Sequence, residues 1–167
     1  RDKFQDPDWK RHDIIAYNYR LPEIAAAVAL AQTEKMGWLC ELRRNAGLGY
    51  LEVIKKSGTD LLIPQKTLRG YTHSYDPFAC FFNGEKYGID WQEFRKKYID
   101  LGGDGIYAAW QLVYNEPCFK NQKIGWGRAP VAETLQKNLM QFTCNQANSS
   151  QVQHQCEVLH DTLEYFS

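Results

Sequence analysis

The sequence has no pair of closely spaced cysteines and no long apolar run. Its five cysteines stand singly, and no two have the Cys-x-x-Cys spacing of a zinc or redox motif. No apolar stretch approaches the about 18 residues that a membrane-spanning helix requires, and no secretory signal peptide is present. We therefore expect reduced thiols, no metal site and no membrane partner, in a protein of the cytoplasm.

An excess of charge of either sign is also missing. The 20 Lys and Arg residues balance 20 Asp and Glu residues, so the formal net charge is zero. A nucleic-acid-binding domain normally carries a basic surface, and we therefore expect no nucleic-acid partner. The sequence also lacks an initiating methionine and starts with Arg1, from which we expect a piece of a longer polypeptide.

What is present is the composition of a globular protein, with 44% hydrophobic residues in 167. Pro22 and Glu23 suit the first turn of a helix, and the alanine-rich residues 24–31 favour its continuation. The pattern reaches about residue 57, although glycines inside it favour a kink or a break into two helices. We predict a connecting arm over 1–21, a long linking helix over 22–57, and a small α+β domain over 58–167.

Short strands and amphipathic helices alternate in that domain. Apolar and aromatic runs predict strands over 61–64, 71–82 and 106–112. Asp90 and Glu93 have the spacing of a capping box before a helix, and Pro130 opens another helix whose stripe reaches Leu139 and Phe142. A final helix is capped at 148–150. The predicted fold class is α+β, with a short antiparallel or mixed sheet covered by helices.

The most informative stretch for function is Tyr17-Asn18-Tyr19-Arg20, just before the long helix. An amide and a guanidinium two residues apart near a helix start suit a phosphate-bearing ligand. The alternative is structural: the two tyrosines pack and Asn18 makes a local turn bond.

Two further stretches hold candidate binding residues. His73 lies between hydroxyl-bearing residues and could serve as an acid or base, or as a partly buried structural histidine. Residues 106–114, with Tyr107 and Gln111, are rich in aromatics that stack on sugars or fill a core. The glycines of 102–105 follow a helix and precede a strand, which is typical of a tight turn and not of a phosphate-binding loop.

Taken in order, several pieces of the sequence resemble the C-terminal part of the DegT/DnrJ/EryC1/StrS family of sugar aminotransferases. The specific piece is Tyr17 to Ala27, and weaker pieces follow at 31–35, 43–45, 72–75, 105–107 and 130–133. The resemblance implies the small C-terminal domain of a fold-type I enzyme that uses pyridoxal 5'-phosphate. It also implies a homodimer, in which Asn18 reaches the cofactor phosphate of the partner subunit and Arg20 lies near the same site.

The resemblance further implies glutamate as amino donor and a nucleotide-linked keto-sugar as acceptor, in the synthesis of amino sugars for cell-surface polysaccharides such as lipopolysaccharide. His73, Tyr107 and Gln111 are the predicted substrate-binding residues, although many family members carry a histidine near the position of Gln111. The family's Schiff-base lysine lies upstream of the Asn18 motif, so this chain has no predicted catalytic residue. We expect the fragment alone to be inactive and to bind no cofactor.

Two alternatives remain from the sequence. In the first, the chain is a non-catalytic dimerisation or interaction module derived from that family, and its contact surface is the alanine-rich face of residues 24–31. The second alternative is a small carbohydrate-binding module, which the aromatic share of 14% would favour.

Overall fold

The chain divides into two units, Arg1–Met36 and Gly37–Ser167. The computed structural model describes Ile15, Tyr17, residues 19–119, Gln122, Gly125 and residues 127–167. The boundary between the units falls within helix α1, which runs from Glu23 to Ser57. Of the two alternatives raised by its glycines, a kink or a break into two helices, the break is wrong, because residues 23–57 form one uninterrupted helix.

A four-stranded antiparallel sheet forms the centre of the second unit. Its strands are β1 (Leu62–Pro64), β2 (Phe78–Phe82), β3 (Ile106–Ala108) and β4 (Leu139–Phe142). The spatial order is β1-β2-β4-β3, so the two longer strands are central and a three-residue strand lies at each edge. Phe142 is the register partner of both Phe78 and Ile106.

Four more α-helices and two short 3₁₀ turns lie in the described part of this unit. The α-helices are α2 (Gly84–Tyr87), α3 (Trp91–Asp100), α4 (Pro130–Asn138) and α5 (Ser149–Tyr165). The α+β class and the long N-terminal helix are therefore confirmed. None of the described helices has the length and apolar character needed to cross a membrane.

The core lies on one face of the sheet. Strand β2 alternates buried and half-buried residues, so that Phe78, Cys80 and Phe82 all point inward. Helices α1, α3 and α5 add buried side chains to the same cluster, among them Tyr50, Tyr98 and Leu159. Burial of the two tyrosines is tolerated because each hydroxyl donates a hydrogen bond, to the Thr143 carbonyl and the Gln155 side chain respectively.

Three predicted elements differ in the structure. Only residues 78–82 of the predicted strand 71–82 are extended, because the chain turns at Tyr75, whose φ is 52°. The strand predicted over 106–112 ends at Ala108. Leu139 and Phe142 belong to β4 and not to a helical stripe, because α4 ends at Asn138. The capping box of Asp90 and Glu93 and the Asn148 cap are confirmed.

Candidate functional site

The arm before α1 carries the predicted cofactor contacts. Asn18 lies outside the described residues, so its role stays a prediction. Arg20 is exposed, and the neighbouring rings of Tyr17 and Tyr19 make an edge contact with centroids 6.1 Å apart. Pro22 accepts the first helical hydrogen bond, from Ala26 N–H at 2.9 Å, which begins α1 directly after the motif.

A large cleft of about 690 Å³ lies beside the two short 3₁₀ turns Val113–Asn115 and Pro117–Phe119. The carboxylate of Glu133, on α4, accepts hydrogen bonds from the Tyr114 hydroxyl at 2.7 Å and from Gly127 N–H at 3.0 Å. Desolvation, and then this bond to Glu133, raise the pKa of Tyr114. Gln111 lines the same cleft. Amides, a carboxylate and a phenol together suit a hydroxylated ligand.

A second cleft, of about 360 Å³, contains His73. The imidazole Nδ1 accepts a hydrogen bond from Tyr75 N–H at 2.8 Å, so Nε2 carries the proton of the neutral ring. Nε2 contacts the side-chain amide of Gln65. The atom that faces it is the amide nitrogen Nε2 of Gln65, and a flip of this amide, which exchanges its nitrogen and oxygen, would give the protonated ring nitrogen an acceptor. With both ring nitrogens engaged, His73 is held in one tautomer.

Tyr107 lies on the edge strand β3, and its side chain is 59% exposed. It is the register partner of Gln141, whose amide donates to the Ala108 carbonyl at 3.1 Å. Tyr107 is not among the residues that line either cleft. The three predicted substrate residues are thus distributed over three places in the described second unit: His73 in one cleft, Gln111 in the other, and Tyr107 on a sheet edge.

Sequence reasoning missed the partners that shape both clefts. In the sequence, Glu133 and Arg44 stand out only as members of short pieces that resemble the family, and no pattern marks Gln65 as a ligand contact. Glu133 meets Tyr114 from 19 residues away, and Gln65 meets His73 across a turn. Spacings of this kind follow no helical or strand period, so no pattern in the sequence identifies them.

No lysine among the described residues is buried. Lys86 and Lys96 form ion pairs with Asp60 and Asp100, and these contacts raise the pKa of each ammonium. A lysine that forms a Schiff base is instead activated by a lowered pKa, through desolvation or a second cation. The described residues therefore include no lysine in the environment that a Schiff base requires.

The fold is similar to part of several solved aminotransferase structures. PseC of Helicobacter pylori, an aminotransferase involved in the biosynthesis of pseudoaminic acid, superposes with a TM-score of 0.73 at 19% identity, over 96% of this chain and 42% of its own. An aminotransferase from Psychrobacter cryohalolentis superposes with a TM-score of 0.79 at 17% identity, over 96% of this chain and 44% of its own. A Streptococcus pneumoniae protein described as a sugar aminotransferase, in its PMP-form, superposes with a TM-score of 0.68 at 13% identity, over 99% of this chain and 41% of its own.

The fold is thus that of a segment of sugar aminotransferases. The chain belongs to the DegT/DnrJ/EryC1/StrS aminotransferase family, whose model matches residues 2–159. It spans about two fifths of the length of the solved structures that it matches. No curated protein sequence matches it. The family resemblance inferred from the ordered motifs is confirmed.

Proposed function

We propose that this chain is the C-terminal part of a pyridoxal-phosphate-dependent aminotransferase that transfers an amino group from glutamate to a nucleotide-linked keto-sugar. The observation that carries this proposal is the family match over residues 2–159, combined with coverage of only 42% of the PseC chain. Its products would serve as amino sugars in cell-surface polysaccharides. The scattered, unpaired cysteines favour a cytoplasmic reaction.

In the intact homodimer, Asn18 and Arg20 would hold the cofactor phosphate of the partner subunit. An amide N–H₂ and a guanidinium are both phosphate donors, and exposure of Arg20 leaves it accessible to a second chain. The cofactor itself supplies the electron sink for the reaction. His73, Tyr107 and Gln111 would contact the sugar, with Gln111 beside the Glu133–Tyr114 pair. In this proposal the chain has three parts: the connecting arm 1–21, the linking helix 22–57 and the small domain 58–167.

The chain alone would be inactive, because none of its described lysines has the environment that a Schiff base requires. The test is incubation of the 167-residue chain with pyridoxal phosphate, reduction with borohydride, and peptide mass spectrometry. We expect low labelling spread over exposed lysines and no glutamate-dependent turnover of a nucleotide-linked keto-sugar. Stoichiometric labelling of one lysine, with turnover, would contradict the proposal that the reactive lysine lies elsewhere.

The matching positive experiment uses the longer polypeptide encoded by the same gene. We expect it to retain pyridoxal phosphate and to catalyse the transfer, and Asn18→Ala and Arg20→Gln to weaken cofactor retention. Arg69→Gln, which removes an exposed arginine far along the chain, serves as the matched control and should leave retention unchanged. A gene whose product begins at or near Arg1 would exclude the proposal that this chain is part of an aminotransferase.

A non-catalytic dimerisation module is the second candidate, and one observation favours it. In the described part of the first unit, Leu21, Ile24, Val28 and Leu30 are each at least 60% exposed. Exposed apolar side chains at this density mark an interaction surface. A stable dimer of the isolated chain in sedimentation, abolished by Ile24→Lys and Val28→Lys but not by Glu34→Lys, would support it. A monomer at all concentrations would exclude it.

A further inference from the structure

The cleft around His73 has the composition of a small-ligand site. Its apolar lining comes from Leu48 and Leu51 of α1 and from the buried ring of Tyr75. Its polar lining includes Thr67 and Thr72, whose side chains carry hydroxyl groups. A largely apolar lining with a few polar groups is usual in ligand pockets.

One wall of this cleft is held in an unusual conformation. Tyr75 has a φ of 52°, in the left-handed region that a tyrosine rarely occupies. It is held there by its N–H bond to His73 Nδ1 and by a tilted contact of the two rings, whose centroids are 4.6 Å apart. Strained residues of this kind cluster at ligand clamps. A fixed wall also lowers the entropy that a ligand loses on binding.

The charge of the cleft comes from Arg44. Its guanidinium makes one contact of 3.3 Å with Glu41, which engages one of five N–H donors, and the pair is exposed. Such a pair contributes little and is readily displaced. The neighbouring Arg43 is neutralised by Asp76, whereas residues 66–75 add Lys66 and Arg69 and no carboxylate.

We infer that this cleft binds a small hydroxylated molecule with an oxyanion, such as a sugar phosphate or a sugar carboxylate. The oxyanion lies against Arg44, where the planar guanidinium offers two parallel donors. The sugar hydroxyls bond to Thr67 and Thr72, and the exposed ring of Tyr71 covers one face of the sugar. This deepens the substrate role proposed for His73, but binding at the cleft needs neither cofactor nor amino transfer.

The test is titration of the whole 167-residue chain, followed by ¹H–¹⁵N NMR, with three probes: glucose 6-phosphate, glucuronate and glucose. We expect shifts at Tyr71, Thr72 and His73 with the two anions, at dissociation constants on the order of 1 mM. Tighter binding of glucose 6-phosphate assigns a phosphate ligand, and tighter binding of glucuronate assigns a carboxylate. Glucose that binds as well as the anions overturns the inference.

Variants distinguish binding at this cleft from nonspecific attraction of anions to the protein surface. Arg44→Gln keeps a helix-compatible side chain and should weaken binding of the preferred anion about tenfold. Lys56→Gln, a change of the same charge on the same helix but outside the cleft, should leave binding unchanged. Tyr71→Ser, at a site 73% exposed, gives a second variant that should fold and bind more weakly. Equal affinities for Arg44→Gln and Lys56→Gln overturn the inference. Failure of amino transfer in the longer gene product leaves these binding results intact.

Discussion

At the scale of single residues, Gly47 of α1 packs closely against the ring of Tyr75. A Cβ atom at position 47 would lie 2.3 Å from the ring. The turn that carries Tyr75 and His73 therefore rests against the helix at a point where only glycine fits. The shape of the His73 cleft depends on this contact, since Tyr75 lines the cleft.

We expect Gly47→Ala to destabilise the chain. Overpacking against Tyr75 costs about 1–3 kcal/mol, which outweighs the gain of up to about 1 kcal/mol in helix propensity. Gly37→Ala on the same helix is the control, because its Cβ would meet nothing within 4 Å. That variant should be more stable by up to about 1 kcal/mol. Urea unfolding followed by circular dichroism measures both, and equal changes would contradict the packing argument.

At the scale of elements, helix α3 begins with a complete capping box. The Asp90 carboxylate accepts from Glu93 N–H at 2.7 Å, and Glu93 accepts from Asp90 N–H at 2.8 Å. The first turn of α3 therefore keeps two hydrogen bonds that a helix start otherwise lacks. Phe94 and Tyr98, which α3 contributes to the core, are placed by this start.

Asp90→Ala should lower the free energy of unfolding by about 1 kcal/mol, because it leaves the Glu93 N–H without its acceptor. Gln92 lies two residues after Asp90 and is exposed, and its side chain makes no comparable capping bond. Gln92→Ala should therefore change the free energy of unfolding little. Chemical denaturation of the two variants is the measurement. A loss of the same size in Gln92→Ala would show that α3 does not depend on its cap.

The elements also show where sequence reasoning succeeds and where it fails. The capping box was predicted because its two partners are three residues apart and need nothing else. Strand β4 was missed, because Leu139 and Phe142 continue the helical spacing of α4, whereas their pairing with β2 and β3 decides the outcome. The same holds for the candidate site. The sequence indicates His73 and Gln111, but their neighbours Gln65 and Glu133 come close to them only when the chain folds, so the sequence does not indicate these two.

At the scale of the whole molecule, four buried ionisable groups make the fold sensitive to alkali. Burial raises the pKa of Cys144 to about 11 from its ordinary 9.0, and also raises the pKa values of Cys80, Tyr50 and Tyr98. The unfolded chain therefore loses these protons first. Stability is fully present below about pH 9 and declines as the pH rises through the range between the unfolded and folded values.

Thermal unfolding between pH 7 and pH 11 should show a constant melting temperature up to about pH 9 and a steady fall above it. Cys144→Ala should make the fall less steep, because it removes one of the groups that ionises only on unfolding. Cys118→Ala, at an exposed position, is the matched control. An unchanged slope in Cys144→Ala, or a flat profile to pH 11, would contradict this account.

The three-residue edge strands of the sheet have a consequence for how copies of this chain can meet. Strand addition needs a row of unpaired backbone groups, and β1 offers a short row that ends in Pro64, which lacks an N–H. The edge at β3 is equally short. Growth of ordered fibrils from the folded state is therefore disfavoured at both borders. In concentrated solutions we expect association through side-chain contacts, seen as light scattering that reverses on dilution. We expect no rise in the fluorescence of a dye that binds cross-β fibrils.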